Sequence, residues 1–331
     1  MKAYVIFLFG LLIFSEVTSQ EDLRKLDLNL ENYEYPYQVN FLEINAQQET
    51  YTMAYMYVKA ENPNGKTVVL LHGKNFNGAY WESTIELLSN NGFDVLVPDQ
   101  IGFGKSSKPD YFQYSFQQLA ENTKNLIQSL QIEKTVVLGH SMGGMLATRF
   151  ALMYPEITEK LVLVNPIGLE DWKLKIPYQS VNDWYEQELK KDYAAIKEYQ
   201  KENYYAGDWN EDYAQWAKLL AGWTLNEDYP RIAWNAALTY DMILTQPVVY
   251  EFKELEVPTL LIIGTRDRTA LGKNLVSEEV KATMGLYDQL GEKTAEKIPD
   301  AEFVEIPDTG HLPHIEAFDK FSEALLPFLK K

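Results

Sequence analysis

The chain has 331 residues, 46% of them hydrophobic, a formal net charge of −18 and no cysteine. That length accommodates one large domain with insertions or two ordinary ones. The missing cysteines remove disulfides, thiolate metal sites and a cysteine nucleophile together, and so acidic a balance argues against nucleic acid or an anionic membrane as partner.

In chain order, Met1 to Ser19 has the layout of a secretory leader: Lys2, a twelve-residue apolar run from Ala3 to Phe14, and the small residues Val17-Thr18-Ser19 before Gln20. The expectation is an exported protein, periplasmic or secreted, with retention of the leader as an anchor as the alternative. The run is shorter than the roughly 20 residues of a membrane span, and no later apolar stretch is long enough to be one. Residues 20–36 are polar and charged and are expected to wrap the outside. The alternation from Tyr37 to Ala60 predicts two antiparallel strands, with a turn near Asn45 to Gln48. Thr67 to Leu71 is a continuous apolar run of the kind found in sheets covered on both faces.

Further on, residues 78–91 read as a helix, Phe93 to Val97 as a strand, Phe112 to Leu130 as a helix, Thr135 to Leu138 as a strand, residues 142–154 as a helix and Lys160 to Val164 as a strand. This rhythm predicts an α/β fold with a doubly wound, mostly parallel sheet. From Pro166 to Tyr250 strand-like runs vanish and six of the seven tryptophans occur. We read residues 166–250 as an inserted helical cap, flanked by core residues 20–165 and 251–331. An insertion after a strand's C-terminal end lies over the crevice where such sheets bind ligands. The rhythm resumes at Thr259 to Gly264, and a polar segment at 269–299 has short helices but no assignable role. A strand at Glu302 to Ile306 and a helix at Ile315 to Leu329 end the chain.

Chemistry concentrates at Gly139-His140-Ser141-Met142-Gly143, a G-x-S-x-G between a predicted strand and a predicted helix. A serine hydroxyl needs an adjacent base, and the base needs an orienting group. Of the four histidines, His72 and His140 precede or adjoin the serine and do not fit the chain order serine, acid, histidine. His311 follows the last predicted strand and is the favoured base. His314, at the start of the last helix, is expected to be a capping or surface residue. The acid is Asp267, three residues beyond Gly264, with Glu170 or Asp171 as fallback. The oxyanion would be held by the backbone N–H groups of Met142 and Lys74, Asn75 being the alternative to Lys74. Gly104-Lys105-Ser106 hints at a phosphate loop, but Asp99 stands where that motif needs glycine. No metal-ligand pattern and no cofactor motif is present in the sequence.

Leu71-His72-Gly73, the Asp99 to Ser107 segment, Gly139 to Gly144, Gly264-Thr-Arg-Asp267 and Gly310-His311 together resemble the successive signatures of the α/β-hydrolase superfamily. The resemblance spreads over nearly all of residues 37–331. It implies a catalytic triad of Ser141, Asp267 and His311, and an oxyanion hole at Lys74 and Met142. Serine in the elbow departs from the dehalogenase and epoxide hydrolase branches, which carry aspartate there. The expected activity is hydrolysis of a small ester-like substrate through an acyl-enzyme. The alternatives are C–C bond hydrolysis of vinylogous diketones and a ligand-binding homologue of low turnover. The cap's aromatics point to a small-molecule substrate with an apolar or aromatic group; neither its identity nor the oligomeric state follows from the sequence.

Overall fold

In the computed structural model, which describes residues 23–331, the apolar runs become a single eight-stranded sheet. The strands are β1 (Val39–Ala46), β2 (Glu49–Val58), β3 (Thr67–Leu71), β4 (Asp94–Pro98), β5 (Thr135–His140), β6 (Thr158–Val164), β7 (Thr259–Gly264) and β8 (Ala301–Ile306). Their spatial order is β1-β2-β4-β3-β5-β6-β7-β8. Pairings β1–β2 and β2–β4 are antiparallel, and all others are parallel. The leader expected at residues 1–19 lies outside the described residues.

The interior strands read as unbroken apolar runs because both faces are covered. Val69, Leu71, Val137, Leu161, Leu163, Leu261 and Ile263 enter one core cluster, and their neighbours Val68, Leu70, Val136, Leu138, Val162, Val164, Leu260 and Ile262 enter the other. Each such side chain contributes about 1.5–3 kcal/mol when fully buried. A register slip of one residue would move each set to the opposite face. Helices α1 (Glu82–Asn90) and α11 (Phe318–Lys330) pack on one side of the sheet; α2 (Phe116–Ser129), α3 (Met142–Met153) and α9 (Tyr287–Ala295) pack on the other.

Between β6 and β7 lie α4 (Val181–Glu188), α5 (Tyr193–Asn203), α6 (Glu211–Thr224) and α7 (Tyr229–Thr245). Short helices α8 (Glu278–Lys281) and α10 (Pro313–Glu316) complete the set. The chain leaves β3 for β4 on one side of it and later places β5 on the other. A crevice therefore opens at the C-terminal ends of β3 and β5, the position where such sheets bind ligands.

Three expectations need correction. Residues 23–36 do not merely wrap the outside: Leu26 and Leu30 are buried, Leu26 N–H donates to Gly222 O at 3.0 Å, and Trp223 Nε1–H donates to Asp27 O at 2.9 Å. Apolar residues spaced among charges let this segment dock one edge while exposing the other. Helix α2 begins at Phe116 rather than Phe112, because the Ser115 hydroxyl caps it by accepting the Gln118 N–H. The final helix is broken at Ala317, whose φ of −136° and ψ of 52° separate α10 from α11.

Among the described residues, no helix is long and apolar enough to cross a membrane, and no group of three or more side chains could hold a metal ion. The Gly104-Lys105-Ser106 turn has a structural use. Asp99 is buried beneath it and accepts hydrogen bonds from Gly78 N–H, Lys105 N–H and Tyr35 O–H, each at 2.7 Å.

Candidate active site

The turn from β5 into α3 places Ser141 at φ 56° and ψ −121°, a strained conformation for a residue with a side chain. Only glycines permit the close approach around it. A Cβ on Gly139 would lie 2.0 Å from the Gly143 carbonyl oxygen, and one on Gly143 would lie 2.1 Å from that of Leu71. Since the colliding atoms are backbone, Gly139→Ala should destabilise the protein by at least about 3 kcal/mol, to be measured by urea denaturation. A loss within about 0.5 kcal/mol would show that the turn tolerates a side chain.

His311 follows β8 and Asp267 follows β7, and both side chains are fully buried. The two are joined by a hydrogen bond of 2.6 Å between His311 Nδ1 and Asp267 Oδ2. Asn165, just after β6, donates from Nδ2 to the same oxygen at 2.8 Å, and Thr269 N–H donates to Oδ1 at 2.7 Å. Asn165 is itself fixed, its Oδ1 accepting Gly264 N–H at 2.8 Å. Three contacts thus fix the carboxyl group against the imidazole. With Nδ1–H given to Asp267, the lone pair resides on Nε2, and Nε2 has no hydrogen-bond partner. His311 is thus held through one ring nitrogen, with the other unengaged among the described residues.

A second relay ties these parts together. Gly73 N–H donates to the Tyr80 hydroxyl at 3.1 Å, Tyr80 O–H lies 3.1 Å from His140 Nδ1, and His140 Nε2 lies 2.8 Å from the His311 carbonyl. The carbonyl can only accept, so His140 donates from Nε2 and receives the Tyr80 proton at Nδ1. Burial, and then the neighbouring His311 and His314, push the His140 imidazolium well down. His140 is therefore a neutral strut between the loop after β3 and the loop after β8.

The amides proposed from the sequence are both available. Lys74 N–H makes no hydrogen bond among the described residues, and Met142 is the first residue of α3, where a helix offers no acceptor. The loop carrying Lys74 passes so near the elbow that a Cβ on Gly73 would lie 3.1 Å from the Ser141 Cβ. Asn75 is engaged through its side chain, which donates to the Tyr204 hydroxyl at 2.7 Å. Glu170 is occupied elsewhere, accepting from Trp172 Nε1, Lys175 Nζ and Gly285 N–H. Asp171 caps the turn at Trp172 and accepts from Tyr250.

His314 is neither a cap nor a surface residue. It is buried, with its ring 4.3 Å from that of Trp81 and 4.8 Å from that of His140. Pro313 starts the short α10 and turns the ring inward against these aromatics, and burial pushes its pKa well down.

Two contributors escaped the sequence. Asn165 has no motif, only its place just after β6. Tyr204 stood out only as one aromatic among many. Its ring stacks on His311 at 4.7 Å and 25°, and its carbonyl accepts the His311 N–H at 2.7 Å. Tyr204 belongs to the chain just after α5, so the helical segment rests directly on the histidine.

Beside this cluster is a cavity of about 560 Å³, bounded by α4 to α7, by Lys74, Asn75, Gly102 and Phe103, and by residues 270–274 and Lys281. Segment 269–299 thus supplies part of the wall. Trp184, Trp223, Tyr199, Tyr229 and Tyr240 contribute aromatic surface, as the composition had suggested, but most of the other tryptophans pack elsewhere, Trp216 against Phe76 and Tyr80.

Residues 66–318 match the family described as the alpha/beta hydrolase fold, and the chain belongs to that family. It is similar to a probable hydrolytic enzyme from Pseudomonas aeruginosa PAO1, with 49% identity and a TM-score of 0.92, covering 93% of this chain and 99% of that one. An enol-lactonase from Burkholderia xenovorans LB400 shares the fold at 21% identity and a TM-score of 0.65, over 88% of this chain and 100% of the other. An uncharacterized protein of Mycobacterium tuberculosis is 34% identical over 106 residues, which span 32% of this chain and 30% of that protein.

Proposed function

We propose that the protein is a serine hydrolase that cleaves a small ester through an acyl-enzyme on Ser141. The observation that carries this reading is the buried His311, anchored through Nδ1 to Asp267 and left with a free Nε2. Ser141 Oγ would attack the carbonyl carbon while His311 Nε2 takes its proton. Asp267 would steady the resulting imidazolium, itself held by Asn165 and Thr269 N–H. The N–H groups of Met142 and Lys74 would receive the developing oxyanion, a contribution worth about 10²–10³ in rate per donor in comparable sites. His311 would then return the proton to the departing alcohol. A water activated by the same Nε2 would release the acid, with no cofactor in the sequence of steps. The helices at 181–245 would act as a cap that shapes the acyl or alcohol pocket.

Family membership and the hydrolase names of similar proteins support the general reaction class; the bond cleaved rests on the site alone. A fluorophosphonate probe should label the protein once, and peptide mass spectrometry should find the adduct on Ser141. Labelling at another serine, or none, would overturn the assignment.

A further inference from the structure

The cavity wall has a charge pattern unlike that of the whole chain. The protein carries a net charge of −18, yet the wall contains Lys74, Lys191, Lys273 and Lys281 against Glu188 and Glu202. Most of these lysines are already engaged. Lys191 pairs with Glu188 at 2.5 Å, Lys281 with Glu278 at 3.6 Å, and Lys273 donates to the Arg268 carbonyl. Among the described residues Lys74 makes no ion pair and its side chain no hydrogen bond; its ammonium lies 3.5 Å above the Tyr240 ring. A cation held only by a ring face inside a protein lacks most of what water gave it. Burial accordingly pushes the Lys74 ammonium down to about 7, with Glu188 opposing that shift and Lys191 adding to it.

Polar groups nearby are also unmet. Gln200 is 1% exposed and lines the cavity, yet neither its Nε2 nor its Oε1 has a partner. The same is true of Trp184 Nε1, whose ring stacks on Tyr240 at 5.1 Å. Buried polar atoms without partners are uncommon in native structures, and Trp184 lies close to Lys74, since its ring stacks on the Tyr240 ring that the ammonium covers. The wall also carries apolar surface, including Ile196, Leu220, Trp223 and Ile232.

Resting on the serine-hydrolase reading, we propose that the substrate carries a carboxylate, bound by the Lys74 ammonium, on an apolar chain ending at the ester. One cation outside an ion pair, with the Glu188 carboxylate in its field, suits a monovalent carboxylate better than a dianionic phosphate. The backbone N–H of Lys74 faces the oxyanion while its four-carbon stem carries the ammonium away. The ester carbonyl and the carboxylate should therefore be about four carbons apart.

The test compares the mono-p-nitrophenyl ester of adipic acid with its primary-amide isostere on the intact protein. The acid should show a kcat/KM at least about ten-fold above the amide, the scale of one charge-assisted contact, and Lys74→Met should erase most of that ratio. Equal or inverse preference in the wild type overturns the proposal whether or not the variant folds. A second arm titrates adipate and its diamide into Ser141→Ala protein by calorimetry. Adipate binding at least ten-fold tighter than the diamide, with a wild type that turns over neither ester, would sustain the carboxylate site and refute the hydrolase reading. Ester turnover with neither preference nor tighter adipate binding would refute the carboxylate site alone.

Discussion

Ser141→Ala is expected to lower kcat for p-nitrophenyl butyrate by about 10⁴- to 10⁶-fold, the range found when a nucleophile that acts as a unit with its base is removed. The alanine methyl has no lone pair to attack with, while the elbow itself needs only a small side chain in its strained conformation. Stability should therefore change little, and KM, where still measurable, should stay within a few-fold of the wild type. Residual activity should be that of the oxyanion donors and binding alone. Steady-state kinetics alongside thermal unfolding checks both halves. Retention of a tenth or more of wild-type kcat in a folded variant would mean that Ser141 is not the nucleophile.

Asp267→Asn should lower kcat by about 10⁴-fold with the fold intact. Asp267 accepts from His311 Nδ1, Asn165 Nδ2 and Thr269 N–H. An asparagine presents one accepting oxygen and an NH₂ that can only donate. With the NH₂ at the Oδ1 position Thr269 N–H meets another donor, and with it at the Oδ2 position both His311 Nδ1–H and Asn165 Nδ2 do. The imidazole can relieve that clash by moving its proton to Nε2, which leaves Nδ1 to accept from the new amide. In that tautomer Nε2 can no longer take the Ser141 proton. The loss should appear mainly in kcat and not in KM, because the substrate does not touch Asp267. A drop below ten-fold would show that the carboxylate is structural rather than orienting. Asn165→Ala tests the same logic more gently, since it removes one of the three donors.

Much of this arrangement is local in the chain and therefore legible there. Glycines at 139 and 143 answer a steric demand set within a few residues, and the collisions a Cβ would cause there are with backbone of the turn itself or of the adjoining β3. The runs Thr67–Leu71 and Thr259–Gly264 read as doubly covered strands because burial on both faces leaves no polar alternation. Asp267 and His311 could be singled out because each follows the end of a strand, and parallel strands deliver their C-terminal ends to one edge of the sheet.

The sequence by itself, then, determined the sheet, the elbow and the chain order of the candidate site residues, all of which follow from periodicity and short-range sterics. Only the tertiary structure decided what surrounds them. Asn165 reaches Asp267 across 102 positions, Asn75 meets Tyr204 across 129, and His140 meets the His311 carbonyl across 171. His314 became a core residue and Tyr204 a cover for His311 because helices packed against loops that no local pattern pairs. The Lys74 ammonium was left unpaired inside a cavity for the same reason. A side chain's partners are chosen by packing between distant segments, and such contacts leave no period in the chain.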